Sequence, residues 1–322
     1  MSTDACGPLW VVTPYFNPTG SRNRLENYRT FRRLLRAPLL TVELAAPGNR
    51  QLTDADAELL LSLDGEPFLW QKERLINIGI AALPAHVKYV AWVDCDVIFD
   101  RGDWVERAVA ELAHDGGMLH LFSAAVHLPE RDPSSWTLET AAAAPELIRE
   151  PSLGVAARAG RGAEALRACY DPASRRAHGT VSATGMALAA RRESLAEGLY
   201  DAAIVGGGDA ILMCAALETL GEDFIHRQAN PFEFASIEAW AERARRAGLF
   251  TPFRALEQTA YHLWHGELSN RKYGRRHRIT ADAGFDPRRH LRRAPNGTWA
   301  WAEGQDALAE SVRNYFIERR EG

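Results

Sequence analysis

A chain of 322 residues with 46% hydrophobic content can bury a sizeable core, as one large domain or two small ones. Its formal net charge of −4 makes no whole-chain case for nucleic acid as a partner, and no segment approaches the roughly 20 apolar residues that a membrane helix needs. The opening MSTDACGPLW is neither basic nor apolar enough for a signal peptide, and Cys6, Cys95, Cys169 and Cys214 form no CxxC pair and no zinc spacing, so a cytoplasmic, reducing setting is expected.

Leu9 to Pro18, LWVVTPYFNP, starts as an apolar strand that is expected to break at Pro14. After a loop at 19–23, Leu25, Tyr28, Phe31 and Leu35 recur at helical spacing, which predicts an amphipathic helix over Arg24–Leu35. Pro38–Ala45 reads as a second strand. Leu69–Pro84 contains a helix that stops before Pro84, and Tyr89–Val93 reads as a buried strand. Asp103–Ala113 predicts a further helix, and MLHLFSAAVHL, from Met118, a further strand. Strand and helix alternate through the first 130 residues, which argues for an α/β layered fold with a largely parallel sheet. Residues 130–180 read as helices and long loops. TVSATGMALAAR returns to strand, Ala203–Leu217 runs through a glycine-rich turn into a helix, and the last 70 residues are helical, then basic. No internal repeat or long linker divides the chain. A single domain is expected, with a nucleotide-binding half at about 9–130, an acceptor-side half at about 131–275 and a C-terminal extension at about 276–322.

YVAWVDCDVIFD, Tyr89 to Asp100, carries the strongest chemical signal. Residues i and i+2 of a strand share a face, so Asp94 and Asp96 are expected to point to one side with Cys95 turned away. Ligands of open α/β sheets sit beyond the carboxyl ends of the strands, and two carboxylates there suit Mg²⁺ or Mn²⁺. Asp209 follows three glycines, Gly206 to Gly208, which allow close approach to a ligand. It is a candidate general base, and equally a good helix N-cap. His262, beside aromatics, reads as a packed residue. Most of the tryptophans read as core, and Trp136 is singled out as a platform for an acceptor.

Taken in order, VVTPYFNP, KERLINIGI with its Asn-x-Gly, YVAWVDCDVIF, GGGDAILMCAA and HLWHG resemble the motifs of nucleotide-sugar glycosyltransferases of the GT-A fold. The resemblance runs from residue 9 to about 275. It implies one Rossmann-type α/β domain with a mostly parallel central sheet flanked by helices, carrying a helical or irregular insertion and a basic C-terminal segment. It implies Thr13, Pro14, Tyr15 and Arg24 on the donor side, with Lys72, Arg74, Asn77 and Asp94. Apart from the resemblance, Arg271, Lys272 and Arg275 lie between or beside Gly266 and Gly274 and are expected to close over a diphosphate. Arg271 to Arg278 is equally readable as a solvated basic face. The metal ligands implied are Asp94, Asp96 and His265, holding Mn²⁺ or Mg²⁺, with Asp209 as the catalytic base.

The expected reaction is metal-dependent transfer of a sugar, with inversion, from a nucleoside diphosphate (UDP first among them) to the hydroxyl of a glycan, small molecule or peptide. The glycine turn lacks the acid that precedes the last Asp in that family, and no acid directly follows the first strand. Two alternatives stand beside this reading. A sugar-nucleotide pyrophosphorylase would carry a Gly-rich loop with Arg and Lys where this chain has TPYFNPTG. The other is a non-catalytic nucleotide-sugar-binding module on the same scaffold.

Overall fold

The structure, a computed structural model, describes residues 7–171, 182–222, 229–267, 270 and 275–319. Its frame is laid down early. β1 (Leu9–Phe16), β2 (Leu39–Ala45) and β3 (Leu59–Asp64) pair in parallel, and β4 (Tyr89–Val93) pairs in parallel on the other side of β1. β6 (Met118–His120) and β10 (Phe253–Ala255) extend the sheet beyond β9 (Ala187–Arg191), which runs antiparallel to both β4 and β6. Among the described residues this sheet has seven strands in the order β10-β6-β9-β4-β1-β2-β3. It is a mixed α/β layered fold with a mostly parallel sheet, the architecture the resemblance implies. Strands from both expected halves share this one sheet.

The period-2 alternation of strand side chains explains the two layers of core. Leu9, Val11, Ala91 and Val93 face one side, where they meet Tyr28 and Phe31 of α1 (Arg22–Leu34) and Trp104, Ala108 and Leu112 of α3 (Trp104–Asp115). Trp10, Val12, Val90 and Trp92 face the other side, where α2 (Lys72–Ala82) packs with Leu75, Ile76 and Ile80. The helices Gly208–Ala216, Pro231–Arg246 and Asp306–Glu318 complete that second layer. A Cβ on Gly79 would run into the Val12 side chain, so the glycine of Asn-x-Gly lets α2 lie close on the sheet.

A second, smaller sheet has four strands among the described residues. β5 (Val97–Phe99), β11 (Thr259–His262), β7 (Ala124–His127) and β8 (Ile148–Pro151) lie in the order β5-β11-β7-β8. The single strand expected from Met118 is therefore two, β6 in the large sheet and β7 in the small one. β3 appears where no strand was expected. β1 does not break at Pro14 but runs on to Phe16. Val11 N–H donates to Pro38 on the β2 side, so by alternation the nitrogen of Pro14 faces the β4 side, where pairing has already ended at Val12. The expected C-terminal extension is not an appendage. Leu308, Val312, Tyr315 and Phe316 are buried in the main core, and Phe316 meets Phe16, Phe68 and Trp70 edge-on or tilted. No helix among the described residues is long and apolar enough to cross a membrane.

Candidate functional site

β4 ends at Val93, and Asp94-Cys95-Asp96 forms a turn before β5. Asp94 N–H donates to Met186 O at 2.7 Å, and Val97 N–H donates back to Asp94 O at 3.2 Å. The two carboxylates leave this turn with different partners. Cys95 between them is buried, and burial pushes its thiol up to about 12.

Asp96 faces two histidines. Antiparallel pairing of β5 with β11 sets Val97 opposite His262, and Leu263 N–H donates to Asp96 O at 2.8 Å. His262 Nε2 then stands 3.7 Å from Asp96 Oδ1, and His265 Nε2 stands 3.2 Å from Asp96 Oδ2. One ligand atom from each of Asp96, His262 and His265 lies within 4.8 Å of the others. The loop carrying His265 is tied to α1, because Asn27 Nδ2 donates to Trp264 O at 2.9 Å. His127 of β7 lies alongside, its ring 4.8 Å from that of His262 and its Nε2 3.3 Å from Glu150 Oε2.

Asp94 faces a lysine. Lys72, the first residue of α2, places its Nζ 2.7 Å from Asp94 Oδ1 and 2.9 Å from Asp209 Oδ2. Burial works against the Lys72 charge, but Asp209 and Asp94 outweigh it and hold its pKa well above the ordinary value. Burial among protein atoms raises the pKa of Asp94, with Lys72 pulling the other way; the side chain is 28% exposed, so water tempers the effect. Glu73, next in α2, is pushed up to about 8, chiefly by burial and further by Asp209, with Lys72 opposing.

The glycine turn closes this cluster. Gly206 and Gly207 have φ of 80° and 102°, a region that disfavours side chains. At Gly208 a Cβ would collide with the Glu73 carboxyl group. The helix starts at Gly208 with Gly207 as its N-cap, so Asp209 is inside the first turn and is not the cap.

The remaining expected residues scatter. Thr13, Pro14 and Tyr15 are buried in β1. Thr13 Oγ1 donates to Val93 O at 2.6 Å, and Tyr15 Oη donates to Gln51 Oε1 at 2.6 Å. Arg24 does lie near the site: its guanidinium sits 5.1 Å from the Phe16 ring centroid, and its charge is among those that pull Asp94 down. Arg74 and Asn77 share a face of α2 as expected, but that face is spent on structure. Arg74 Nη1 lies 3.0 Å from Asp201 Oδ2 and its Nε donates to Gly297 O at 2.6 Å. Asn77 Nδ2 donates to Leu199 O at 2.9 Å, and its Oδ1 accepts from Leu199 N–H at 2.8 Å. Trp136 is 2% exposed and packs with Ile98, Val126, Leu128 and Leu263, so the tryptophan singled out as a platform is core. Arg275 is exposed; Arg271 and Lys272 lie outside the described residues. The basic segment instead brings Arg276 and His277 against Gly206 and Gly207. Burial and Arg276 lower His277 to about 3, so its Nε2 accepts from Arg276 Nε at 3.3 Å.

Residue-level reading missed His262 as a partner of Asp96 and Glu73 as part of the lysine cluster. His262-x-x-His265 was the available signal for the first, and nothing short of the Gly208 contact marks the second.

No protein-family model matches the chain, and no curated protein matches it. Among solved structures, S. aureus TarS in complex with UDP-GlcNAc is similar at 10% identity over 81% of this chain and 60% of that one, with a TM-score of 0.37. M. tuberculosis glucosyl-3-phosphoglycerate synthase is similar at 12% identity over 92% of this chain and 88% of that one, with a TM-score of 0.40. The same synthase with Mg²⁺ and uridine diphosphate gives 12% identity, 93% and 88% coverage and a TM-score of 0.39. The chain thus spans about 60% of the length of the TarS chain it matches. Likeness of this degree carries no chemistry over.

Proposed function

We propose that the chain is a metal-dependent glycosyltransferase that moves a sugar from a nucleoside diphosphate to an acceptor hydroxyl. The observation that carries this reading is the Asp96–His262–His265 triad set beside the Lys72–Asp94–Asp209 cluster at the end of β4. One carboxylate and two imidazoles make a mixed oxygen–nitrogen donor set. Imidazole suits transition metals, whereas Mg²⁺ prefers oxygen throughout, so the set fits Mn²⁺ better than Mg²⁺. A divalent ion held there supplies Lewis acidity to the diphosphate leaving group.

The protein's own groups do the rest. Lys72 joins the two sub-sites, and its ammonium offers charge to the diphosphate as the bond to the anomeric carbon breaks. Arg24 adds a second positive charge on the same side. The acceptor oxygen forms the new bond, and its proton passes to Asp209, which releases part of its hold on Lys72 to take it. A base acting directly on the acceptor gives inversion at the anomeric carbon. Glu73, neutral up to about pH 8, adds no further negative charge to a cluster that already holds two carboxylates on one ammonium.

The test is donor binding and turnover across metals. Uridine diphosphate with Mn²⁺ should raise the melting temperature, with a smaller rise for Mg²⁺ and none in chelator, and UDP-sugars should release uridine diphosphate in the presence of an acceptor. No stabilisation by any nucleoside diphosphate with any divalent ion would overturn the reading.

A further inference from the structure

Helix α2 has two polar faces. Lys72 and Glu73 look towards Asp209 and Gly208, whereas Arg74 and Asn77 look towards residues 198–201 and Gly297. Beside that second face lies a cavity of about 660 Å³, walled by residues 195–202, the Pro231–Arg246 helix and the hairpin of β12 (Leu291–Arg293) and β13 (Trp299–Trp301). Neither Asp96 nor Asp209 lines it, so it is a separate site.

Its charge is unbalanced. Six arginines line the cavity against two acidic residues, Glu197 and Asp201. Both acids are engaged: Arg243 Nε lies 2.7 Å from Glu197 Oε2, and Arg74 Nη1 lies 3.0 Å from Asp201 Oδ2. Arg192 donates to Pro84 O at 2.7 Å and Leu83 O at 3.0 Å, capping α2, and Arg288 reaches Asp286 at 3.3 Å. Arg292 and Arg293 have no carboxylate partner among the described residues.

The walls around these charges are aromatic and fixed. Trp299 is held by its indole N–H on Asp201 O at 2.8 Å, and its ring carries Arg293 at 5.1 Å and Arg74 at 5.7 Å. Trp240 is held by its indole N–H on Gly198 O at 3.1 Å. Tyr200, 5% exposed, lines the cavity with Ser236. An arginine fork fits a phosphate in two parallel hydrogen bonds, and a phosphate monoester carries close to two charges near pH 7, matching two unpaired guanidinium groups. Aromatic walls suit a carbon skeleton attached to that phosphate.

We propose that this cavity is a binding site for a small molecule carrying a phosphate monoester, with Arg292 and Arg293 on the phosphate and the Trp240, Trp299 and Tyr200 walls against its carbon skeleton. The site owes nothing to the metal triad, and the proposal stands or falls independently of glycosyl transfer.

Phenyl phosphate is the probe, titrated calorimetrically into the full chain in the presence of a chelator so that the metal triad is silent. Saturable binding is expected, weaker for inorganic phosphate, absent for phenol and unchanged in Asp96→Asn. The exposed pair Arg292→Ala with Arg293→Ala should fold with an unchanged melting temperature and lose at least ~10-fold in affinity, as charged hydrogen bonds to the phosphate are removed. Hydrogen exchange should slow at residues 195–202 and 288–301 on binding. Absence of saturable binding, full affinity in the double variant, or loss of affinity in Asp96→Asn would each overturn the proposal. So would association with phosphatidate vesicles without binding of free phenyl phosphate, which would place the phosphate on a lipid surface and not on a small molecule.

Discussion

On one side of the turn after β4, Lys72 spans Asp94 and Asp209 with contacts of 2.7 and 2.9 Å. On the other, Asp96 faces the imidazoles of His262 and His265 at 3.7 and 3.2 Å. Two aspartates separated by one cysteine thus enter different chemistry. The Lys72 side is a fixed ion cluster built by the large sheet, α2 and the glycine turn. The Asp96 side sets one carboxylate against two imidazoles, where β5 pairs with β11. The first region supplies permanent charge, and the second can take up a cation. An Asp-x-Asp pair, read as one motif, is here a junction between the two.

The largest effect should come from the Asp96 side. Asp96→Asn keeps the shape of the side chain and removes its charge; sugar transfer should fall by ~10²-fold or more, while the unfolding midpoint in urea barely moves. Equal activity with and without the carboxylate would erase the distinction between the two regions. Next comes Lys72→Met, which strips the shared ammonium from two carboxylates. Lys72 is 10% exposed in its side chain, and leaving its partners uncompensated should cost about 3 kcal/mol of stability, read from urea unfolding. A cost within error of zero would mean that the cluster is solvated and not structural. Asp94→Asn should cost less, because one carboxylate still holds the lysine.

How much of this was legible depends on how local the cause was. β4, α2 and the turn at Gly206 to Asp209 were readable because apolar period, Pro84 and the glycines act within a few residues. The split of Asp94 from Asp96 was not, because it comes from β5 pairing with a strand more than 160 residues later, His262 opposite Val97. The run of β1 past Pro14 was hidden for a similar reason. Proline ends most strands, but Pro14 lies where β4 has stopped pairing, so β1 carries its neighbours on into the core. Arg74 and Asn77 were correctly placed together on one face; that this face is spent on structure depended on Asp201 and Gly297, far along the chain.

A smaller effect separates the buried groups by pH. Glu233, in the Pro231–Arg246 helix, is pushed up to about 8 by burial, as is Glu73 by burial and its neighbours. Such acids stay protonated in the folded chain while the unfolded chain ionises, so stability is full below about pH 4.5 and is lost as pH rises to about 8. His120 and His277, lowered to about 3 by burial, act oppositely, adding stability as pH rises from about 3 to 6.5. Of these four groups only the two acids change between about pH 6.5 and 8, so the melting temperature should fall across that window. Glu233→Gln, in a helix that contributes no residue to the Asp96–His262–His265 group, should flatten the fall without altering metal binding. A melting temperature that rises from pH 6.5 to 8 would contradict these burial effects.

The division of the two aspartates is tested most directly by Mn²⁺ titration of three purified variants, followed by electron paramagnetic resonance of the free ion. Asp94→Asn should bind Mn²⁺ within about threefold of the unaltered chain, whereas Asp96→Asn and His262→Gln should each weaken it at least ~10-fold, as expected for loss of a ligand. Asp94→Asn weakening Mn²⁺ as much as Asp96→Asn, with His262→Gln unchanged, would contradict the account and return both aspartates to a single metal site.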